Sequence, residues 1–207
     1  MRVHKKNTEI CLFGAGGHGR VVASQMTACG YEVLKFADVS KIGEQVDGKF
    51  PVLFKELSDI PHFPLLVTVG NNNVRKTIQQ QWQTLGNKAL TFSYDESYHS
   101  LASIGAGSMI LKMATINNGA VIGEGVIVNT GAIVEHDTQV GDYSHISPGA
   151  VLLGGSRIGQ LCHIGANATV LPQISICDNV IVGAGATVVQ NITQSGTYVG
   201  TPARILR

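Results

Sequence analysis

The carboxyl-terminal half of the chain carries a strict six-residue pattern of apolar and polar positions. From Ile104 to Val188 an aliphatic residue occupies every sixth position, fifteen times in succession. A small or β-branched residue follows four positions after each of the first fourteen, and Gly, Asn or Asp fills ten of the fourteen positions just before it. Those three residue types tolerate a left-handed backbone conformation. The pattern therefore predicts a solenoid of short strands and sharp corners, with three strands in each coil.

The amino-terminal half alternates short apolar runs with helix-like stretches. The predicted elements are a strand within residues 9–16, a helix to about Ala28, a strand from Val33 to Ala37, a strand from Leu65 to Val69, a polar helix to Leu85 and a strand from Ala89 to Ser93. Alternating strands and helices predict a small, parallel, Rossmann-like α/β domain. Its ligand crevice is expected at the carboxyl ends of the strands.

A glycine-rich turn follows the first predicted strand. Gly14, Gly16 and Gly19 have the spacing of a dinucleotide-binding turn, and Asp38 ends the second strand. The motif is weak by itself, and three interpretations stay open. The turn could bind NAD(P), although a solenoid supplies no hydride chemistry. Its glycines could serve only strand-to-helix packing, or its amides could face another anionic ligand at a helix start, such as a nucleotide-linked sugar.

Composition excludes several classes of protein. The net charge is +1 and charged residues make up 14% of the chain, so no field for binding nucleic acid is expected. The sequence has no run of eighteen uncharged apolar residues and no secretory apolar core after Met1, which predicts a cytoplasmic protein without membrane insertion. The four cysteines show no paired short spacing and are expected to be reduced thiols, with Cys162 facing the solenoid interior.

Motifs from both halves occur in a fixed order along the chain. They are Gly14-Ala15-Gly16-Gly17-His18-Gly19, Gly70-Asn71-Asn72, Val134-Glu135-His136-Asp137, Val140-Gly141, His145-Ile146-Ser147 and Gly200-Thr201-Pro202-Ala203. Together they resemble the bacterial UDP-4-amino-sugar N-acetyltransferases and the related sialic-acid-pathway O-acetyltransferases, which belong to the hexapeptide-repeat acyltransferase superfamily. The resemblance implies an α/β nucleotide-sugar-binding domain over residues 1–98. It also implies a left-handed parallel β-helix over residues 99–207 that binds acetyl-CoA.

The same resemblance implies a homotrimer, and the repeat adds a reason from the residues. Apolar side chains recur at the sixth position of the hexads, which faces outward in the predicted solenoid: Met109, Val121, Ile127, Ile133, Val151 and Ile181. Outward apolar residues on a short prism are expected to find a partner surface.

Carried over by motif, His136 matches the general base of the family. It occupies the third position of its hexad, which points outward, and the ordinary pKa of a histidine suits proton transfer near neutrality. Asp137 matches an acidic partner that orients the imidazole, although aspartate is also common at a left-handed corner for backbone reasons alone. Glu135 stays open as a substitute for Asp137.

The resemblance also assigns the binding residues. Those expected to bind the nucleotide sugar are Gly16, Gly17, His18, Asp38, Val39 and Gly70, with Val39 standing where the family commonly has an acid. Those expected to bind acetyl-CoA are His145, Gly154, Ala166 and Ala184. His163 follows His145 by one coil, but two histidines without a third ligand make a weak metal site, and no metal is expected.

The leading hypothesis is an acetyl-CoA-dependent N-acetyltransferase acting on the 4-amino group of a UDP-linked amino-deoxy sugar, by direct general-base-assisted attack. Its alternative is O-acetylation of a sialic-acid-type or other sugar hydroxyl. A third hypothesis, from a different class, is a non-catalytic scaffold that binds nucleotide sugars. The histidine beside an acid and the complete glycine turn argue against the third.

Overall fold

The computed structural model describes residues 9–31, 34–94, 97 and 101–206. Contacts between residues divide the chain into two compact units, Met1–Phe92 and Ser93–Arg207. The division predicted between residues 98 and 99 lies outside the described residues. The short strand β6 (Phe92–Ser93) straddles the observed division.

The first unit is an α/β domain built on a five-stranded sheet with the order β3-β4-β2-β1-β5. Its elements are β1 (Ile10–Phe13), α1 (Gly17–Ala28), β2 (Leu34–Ala37), β3 (Gln45–Val46), β4 (Phe50–Phe54), a 3₁₀ helix (Leu57–Asp59), β5 (Leu65–Val67) and α2 (Asn72–Thr84). The central strand β1 pairs in parallel with β2 on one side and β5 on the other. The loops after β1 and β5 therefore flank a topological switch point, where open α/β sheets bind their ligands.

Several predicted boundaries in this unit are wrong. The antiparallel pair of β3 and β4 was not expected, because polar residues interrupt its short apolar runs. The third predicted strand ends at Val67, where Thr68 turns and donates its hydroxyl to the Gly14 carbonyl. The strand predicted from Ala89 to Ser93 is reduced to a single bridge from Ala89 to Leu65, followed by β6. Val33 lies outside the described residues.

The second unit is a parallel β-helix that follows the hexads. Its strands are β7 (Ser103–Ile104), β8 (Met109–Ile110), β9 (Thr115–Ile116), β10 (Val121–Ile122), β11 (Ile127–Val128), β12 (Ile133–Val134), β13 (Gln139–Val140), β14 (His145–Ile146), β15 (Val151–Leu152), β16 (Arg157–Ile158), β17 (His163–Ile164), β18 (Thr169–Val170), β19 (Ser175–Ile176), β20 (Val180–Val182), β21 (Thr187–Val188), β22 (Gly196–Val199) and β23 (Arg204–Ile205). Each strand from β7 to β21 pairs in parallel with the strand eighteen residues away. β22 pairs in parallel with β20, sixteen residues earlier, and β23 pairs antiparallel with β22.

Three walls result from this pairing. The first wall has the order β19-β16-β13-β10-β7, and the third wall has the order β21-β18-β15-β12-β9. The second wall contains β20, β17, β14, β11 and β8, and β22 and β23 extend it. The aliphatic residue that starts each hexad points inward, and these side chains form one continuous core. The predicted solenoid and its three strands per coil are confirmed.

The corners show how far the repeat determines backbone conformation. The four corner positions without Gly, Asn or Asp are Met113, Tyr143, Leu161 and Gln173, and all four have φ between 57° and 64°. A left-handed conformation costs an ordinary residue about 1–2 kcal/mol. The hydrogen bonds between stacked coils therefore outweigh the local preference of these residues.

One inference from the outward positions needs correction. Met109 and Ile127 are fully buried within this chain, although the hexad pattern predicts them to face outward. Of the six apolar residues at that position, Val121 and Ile181 are exposed, at 47% and 48%. The repeat predicts which way a side chain points from its own coil. It does not predict whether that side chain is buried.

Buried hydroxyls link successive coils. The Ser144 hydroxyl donates to the Gly159 carbonyl at 2.8 Å and accepts from the Cys162 N–H at 2.9 Å. Ser156 is equally buried, but its hydroxyl has no hydrogen-bond partner among the described residues.

This contrast predicts opposite effects on stability. Ser144→Ala leaves a buried N–H and a buried carbonyl without their partner and should lower the free energy of unfolding by about 1–3 kcal/mol. Ser156→Ala removes an unpaired polar group and should leave stability unchanged or raise it. Denaturant unfolding at one fixed protein concentration measures both changes, and a larger loss for Ser156→Ala would contradict the assignment.

Candidate active site

The predicted base lies in the corner between the third and first walls. His136 and Asp137 connect β12 to β13, and Gly154 occupies the same corner one coil later, between β15 and β16. The coils are joined here by backbone hydrogen bonds: the Gly155 N–H donates to the His136 carbonyl at 2.9 Å, and the Asp137 N–H donates to the Asn118 carbonyl at 3.0 Å. The main chain that carries His136 is therefore fixed from both sides.

Asp137 contacts the imidazole directly. Its Oδ2 lies 2.9 Å from His136 Nδ1, and the two side chains are 72% and 62% exposed. A carboxylate accepts the Nδ1 proton, which leaves the lone pair of the neutral ring on Nε2. An exposed pair of this kind contributes little to stability, so its consequence is the tautomer and orientation of the ring. Asp137 also has φ of 59°, so it serves the corner and the histidine together.

Glu135, the substitute that the sequence left open, makes different contacts. Its Oε2 accepts a hydrogen bond from Asn117 Nδ2 at 2.9 Å and lies 3.4 Å from the His136 backbone N–H. Glu135 thus contacts the main chain of His136, and Asp137 contacts the ring.

Gly154 faces the other side of the imidazole. A Cβ atom built on Gly154 would lie 2.6 Å from both Cε1 and Nε2 of His136. Real Cβ atoms do not approach other heavy atoms so closely, so the ring occupies the space that a side chain at Gly154 would need.

The backbone N–H of Gly154 has no hydrogen-bond acceptor among the described residues. At two other hexads the corresponding N–H is capped by an aspartate of the next coil, at 2.8 Å in each case: Asp142 accepts from Glu124, and Asp178 accepts from Gln160. Gly154 lacks such a cap, so its N–H is left without an acceptor in the residue that packs against the imidazole. A donor in this position can bind a carbonyl oxygen or an oxyanion.

The other residues expected at acetyl-CoA lie on different parts of the solenoid. Ala166 and Ala184 occupy the corner between the second and third walls, where the Ala166 carbonyl accepts from the Gly185 N–H at 2.8 Å. Their own N–H groups also have no acceptor among the described residues. Ala166 and Ala184 thus border the third wall at one corner, and Gly154 borders it at the other.

His145 lies on the second wall, and it is only 9% exposed. Its Nε2 is 3.0 Å from Asn129 Nδ2, and its ring meets the His163 ring edge-on at 4.9 Å between centroids. His163 Nε2 in turn lies 3.0 Å from the Ser147 hydroxyl. Among the described residues no group of three or more His, Cys, Asp or Glu side chains could hold a metal ion. The role of His145 at acetyl-CoA stays a prediction.

In the first unit, the glycines of the turn have separate structural roles. Gly14 has φ of 110°, and a Cβ there would meet Val69 at 2.8 Å. A Cβ on Gly19 would overlap the Gly14 carbonyl oxygen, so Gly19 permits α1 to pack against the turn. Gly16 and Gly17 have open space where a Cβ would stand and do not have positive φ. Packing therefore explains Gly14 and Gly19 and leaves Gly16 and Gly17 unexplained.

Gly16 and Gly17 begin helix α1, whose first N–H groups face the switch point. Gly16 is the N-cap and makes no side-chain hydrogen bond, and the first turn contains no acidic residue. The first N–H groups of a helix have no partner within it and bind anions readily.

His18 in the first turn of α1 is held neutral. Burial, reinforced by the charge of Arg75, lowers the pKa of His18 to about 4 from an ordinary value of 6.5. Arg75 is itself fully buried and donates to the carbonyls of Val69 and Gly70 at 3.0 and 3.2 Å, and to Asn72 Oδ1 at 2.9 Å. No pattern along the chain signals this role, because arginines in a first helical turn are usually solvated.

Asp38 acts on the turn through the backbone. Its Oδ2 accepts from the Ala15 N–H at 2.9 Å, and its Oδ1 accepts from the N–H and hydroxyl of Ser40. Burial opposes the charged carboxylate, but these hydrogen bonds and the charge of Lys41 outweigh it and lower the pKa of Asp38. Lys41 Nζ also donates to the Ala15 carbonyl at 3.1 Å. Asp38 and Lys41 therefore fix the turn from one side.

A mainly apolar groove starts beside this turn. It has a volume of about 780 Å³ and is lined by residues that include Phe13, Val39, Leu57 and Ile78. Phe13 directly precedes the glycine turn and Val39 directly follows Asp38, so the groove continues from the switch point. Polar side chains, among them Lys55, Glu56 and Gln81, also line the groove.

The fold joins a small Rossmann-like α/β domain to a solenoid of hexapeptide repeats, a combination typical of one class of transferases. Residues 9–82 match the PglD N-terminal domain family, and residues 119–154 and 155–190 each match the bacterial transferase hexapeptide family (six repeats). A comparison with curated protein sequences gave no match.

Three solved structures resemble nearly the whole chain. The acetyltransferase domain of PglB from Neisseria gonorrhoeae FA1090, in complex with acetyl coenzyme A, is 38% identical, with 97% of this chain and 100% of that chain covered and a TM-score of 0.91. PerB from Caulobacter crescentus, in complex with CoA and GDP-perosamine, is 29% identical, with 97% and 98% covered and a TM-score of 0.89. WeeI from Acinetobacter baumannii AYE is 27% identical, with 97% and 100% covered and a TM-score of 0.84. The chain belongs to the hexapeptide-repeat acetyltransferases that carry a PglD-type N-terminal domain, and it is an acyltransferase.

No helix in the described part of the chain is both long enough and apolar enough to cross a membrane.

Proposed function

We propose that this enzyme transfers the acetyl group of acetyl-CoA to the 4-amino group of a UDP-linked amino-deoxy sugar in bacterial glycan biosynthesis. One observation carries the proposal: His136 is hydrogen-bonded to Asp137 through Nδ1 and lies beside Gly154, whose backbone N–H has no acceptor among the described residues. A base and an oxyanion donor in one corner are what aminolysis of a thioester requires. The complexes of PglB with acetyl coenzyme A and of PerB with CoA and GDP-perosamine support acetyl-CoA as the donor and a nucleotide-linked sugar as the acceptor.

The proposed chemistry is direct attack. The sugar amine attacks the thioester carbonyl and gives a proton to His136 Nε2, while Asp137 holds the proton on Nδ1. The Gly154 N–H stabilises the oxyanion that forms on the carbonyl oxygen. The carbon–sulfur bond then breaks, and the CoA thiolate takes the proton from the imidazolium. Acetyl amide and free CoA leave, and the enzyme returns to its starting protonation state.

A covalent acetyl-enzyme is not part of the proposal, because the cysteine in the solenoid core is a poor nucleophile. Cys162 is fully buried, burial raises the pKa of its thiol to about 11, and the thiol donates to the Cys177 carbonyl. Thiolate at that position is scarce at neutral pH. Incubation with radiolabelled acetyl-CoA without acceptor should leave the protein unlabelled after denaturation, and a stable label would overturn direct transfer.

The first unit would hold the nucleotide part of the acceptor. The diphosphate would face the amides of Gly16 and Gly17 at the start of α1, with neutral His18 as a hydrogen-bonding group. The nucleotide base would occupy the apolar groove beside Val39. Val39 cannot accept a hydrogen bond from a base or ribose as an acid would, so shape and apolar contact would carry more of the recognition in this chain.

The experiment that tests the function is an assay of free CoA thiol with matched acceptors. UDP-linked and GDP-linked forms of one 4-amino-deoxy sugar compare the nucleotides, and the corresponding 4-hydroxy sugar compares amine with hydroxyl. The proposal predicts the highest kcat/KM for the UDP amino sugar. A preference for the GDP form would show that the acceptor carries GDP in place of UDP. A preference for the hydroxyl sugar would indicate O-acetylation. Absence of turnover with every acceptor would favour a binding protein.

We also propose a homotrimer. Val121 and Ile181 remain exposed on the solenoid, and large exposed apolar side chains favour association. Light scattering at micromolar concentration should give three times the mass of the chain, and a monomeric mass would refute the trimer.

A further inference from the structure

The backbone conformation at Gly154 does not require a glycine. Its φ is outside the left-handed region, unlike the corner glycines that follow one position later in the hexads, such as Gly119 and Gly131. It stands at the third position of its hexad, and no other hexad from Ile104 to Val188 has glycine at this position. An ordinary side chain is therefore compatible with the main chain at Gly154, and the requirement for glycine must come from a contact.

That contact is with the base. A Cβ at Gly154 would approach Cε1 and Nε2 of His136 to 2.6 Å and Cδ2 to 3.3 Å. None of the three is the ring atom that contacts Asp137, which is Nδ1 at 2.9 Å. The ring is thus bounded by a carboxylate on one side and by a missing side chain on the other. A methyl group at Gly154 would have to displace the ring.

We propose that Gly154 is a positioning residue whose absent side chain seats the His136 imidazole with Nδ1 on Asp137 and Nε2 at the reaction centre. This inference rests on the proposed role of His136 as the base. This positioning role is separate from the oxyanion role of the Gly154 N–H. Alanine at this position would keep the N–H and fill only the space that the imidazole occupies, which is called the seat below. The cost of a displaced base is large since proton transfer depends on positions within a few tenths of an ångström.

A double-mutant cycle separates the two roles of Gly154. In the otherwise unchanged enzyme, Gly154→Ala should lower kcat about 10–100-fold, with the acetyl-CoA dissociation constant shifted less than about threefold. In a His136→Ala background, the same change should alter the residual rate less than about twofold, because the displaced group is gone. Asn118→Ala, at the same hexad position one coil before His136 and two coils before Gly154, is the matched control and should leave kcat unchanged.

Other outcomes would overturn the inference. Equal losses in both backgrounds would assign Gly154 to the oxyanion or the donor pocket alone. A collapse of acetyl-CoA affinity would assign it to donor binding, and unchanged kcat would show that the ring does not need the space. Loss of activity in His136→Ala tests the base itself, so failure of the proposed function and failure of the seat remain distinguishable.

Direct observation of the unaltered protein provides a second test that does not depend on folding of a variant. The geometry predicts a strong nuclear Overhauser effect between the His136 ring proton on Cε1 and the Gly154 α-protons. Absence of this signal in assigned spectra of the folded protein would show that the ring does not occupy the seat.

Discussion

Replacement of His136 by alanine is expected to lower turnover by roughly 10²–10⁴-fold, which is the usual contribution of a general base. The imidazole is 62% exposed and makes few packing contacts, so the fold should tolerate its loss. The dissociation constant of acetyl-CoA, measured by calorimetry, should change less than about threefold. Single-turnover kinetics at neutral pH gives the rate of the chemical step. Near-wild-type turnover would remove His136 from the mechanism.

Asp137→Gly is the companion experiment. The left-handed conformation of Asp137 offers a purely structural explanation for the residue, and this variant tests it. In the same corner, one coil earlier and one coil later, Gly119 and Gly155 adopt similar φ values of 71° and 68°. Asp137→Gly should therefore preserve the corner while removing the carboxylate. We expect it to lower kcat while keeping thermal stability, whereas full activity would show that Asp137 serves the backbone alone.

The hexad pattern predicted the solenoid almost completely, because a β-helix repeats one local rule. The direction of every side chain follows from its position in the hexad, and the outward orientation of His136 followed in the same way. What the pattern could not supply was the environment of each outward residue. Met109 and Ile127 occupy the outward position and are nevertheless buried.

The glycine turn shows a different limit. Spacing identified Gly14, Gly16 and Gly19 as one motif, but their roles separate only in three dimensions, as close approach, open helix start and helix packing. Asp38 was expected at the substrate, and its observed partners are the turn residue Ala15 and its own neighbour Ser40. Contacts of this kind involve the main chain or residues far apart in the sequence. The pattern of side chains along the chain does not predict them.

Arg75 and Gly154 were the most difficult residues to interpret from the sequence. A buried arginine that bonds to backbone carbonyls has no periodic signature, and a glycine at an outward position resembles a loop residue. The resemblance to known acetyltransferases named Gly154 as a source of backbone contacts for acetyl-CoA. Its contact with His136 appears only in three dimensions, because residues eighteen apart in the chain stack on each other in successive coils.

Gly17→Val is expected to weaken binding of the nucleotide sugar and to leave the donor almost untouched. In the free protein the added side chain meets open space, and Gly17 does not have positive φ, so stability should change little. A ligand phosphate that approaches the α1 amides would lose one or two charge-assisted hydrogen bonds, which predicts a KM for the UDP amino sugar raised roughly 10–100-fold. The dissociation constant of acetyl-CoA should shift less than about threefold.

The design of this experiment depends on two reference variants. Gly19→Ala forces a Cβ into the Gly14 carbonyl and should lower thermal stability, which shows what purely structural damage to the turn does. His136→Ala should lower kcat without changing the affinity for UDP, which shows the opposite pattern. Calorimetric titration of UDP and of acetyl-CoA into folded Gly17→Val then decides the assignment. If acetyl-CoA affinity collapses while UDP still binds, the turn serves the donor and the roles of the two units are exchanged.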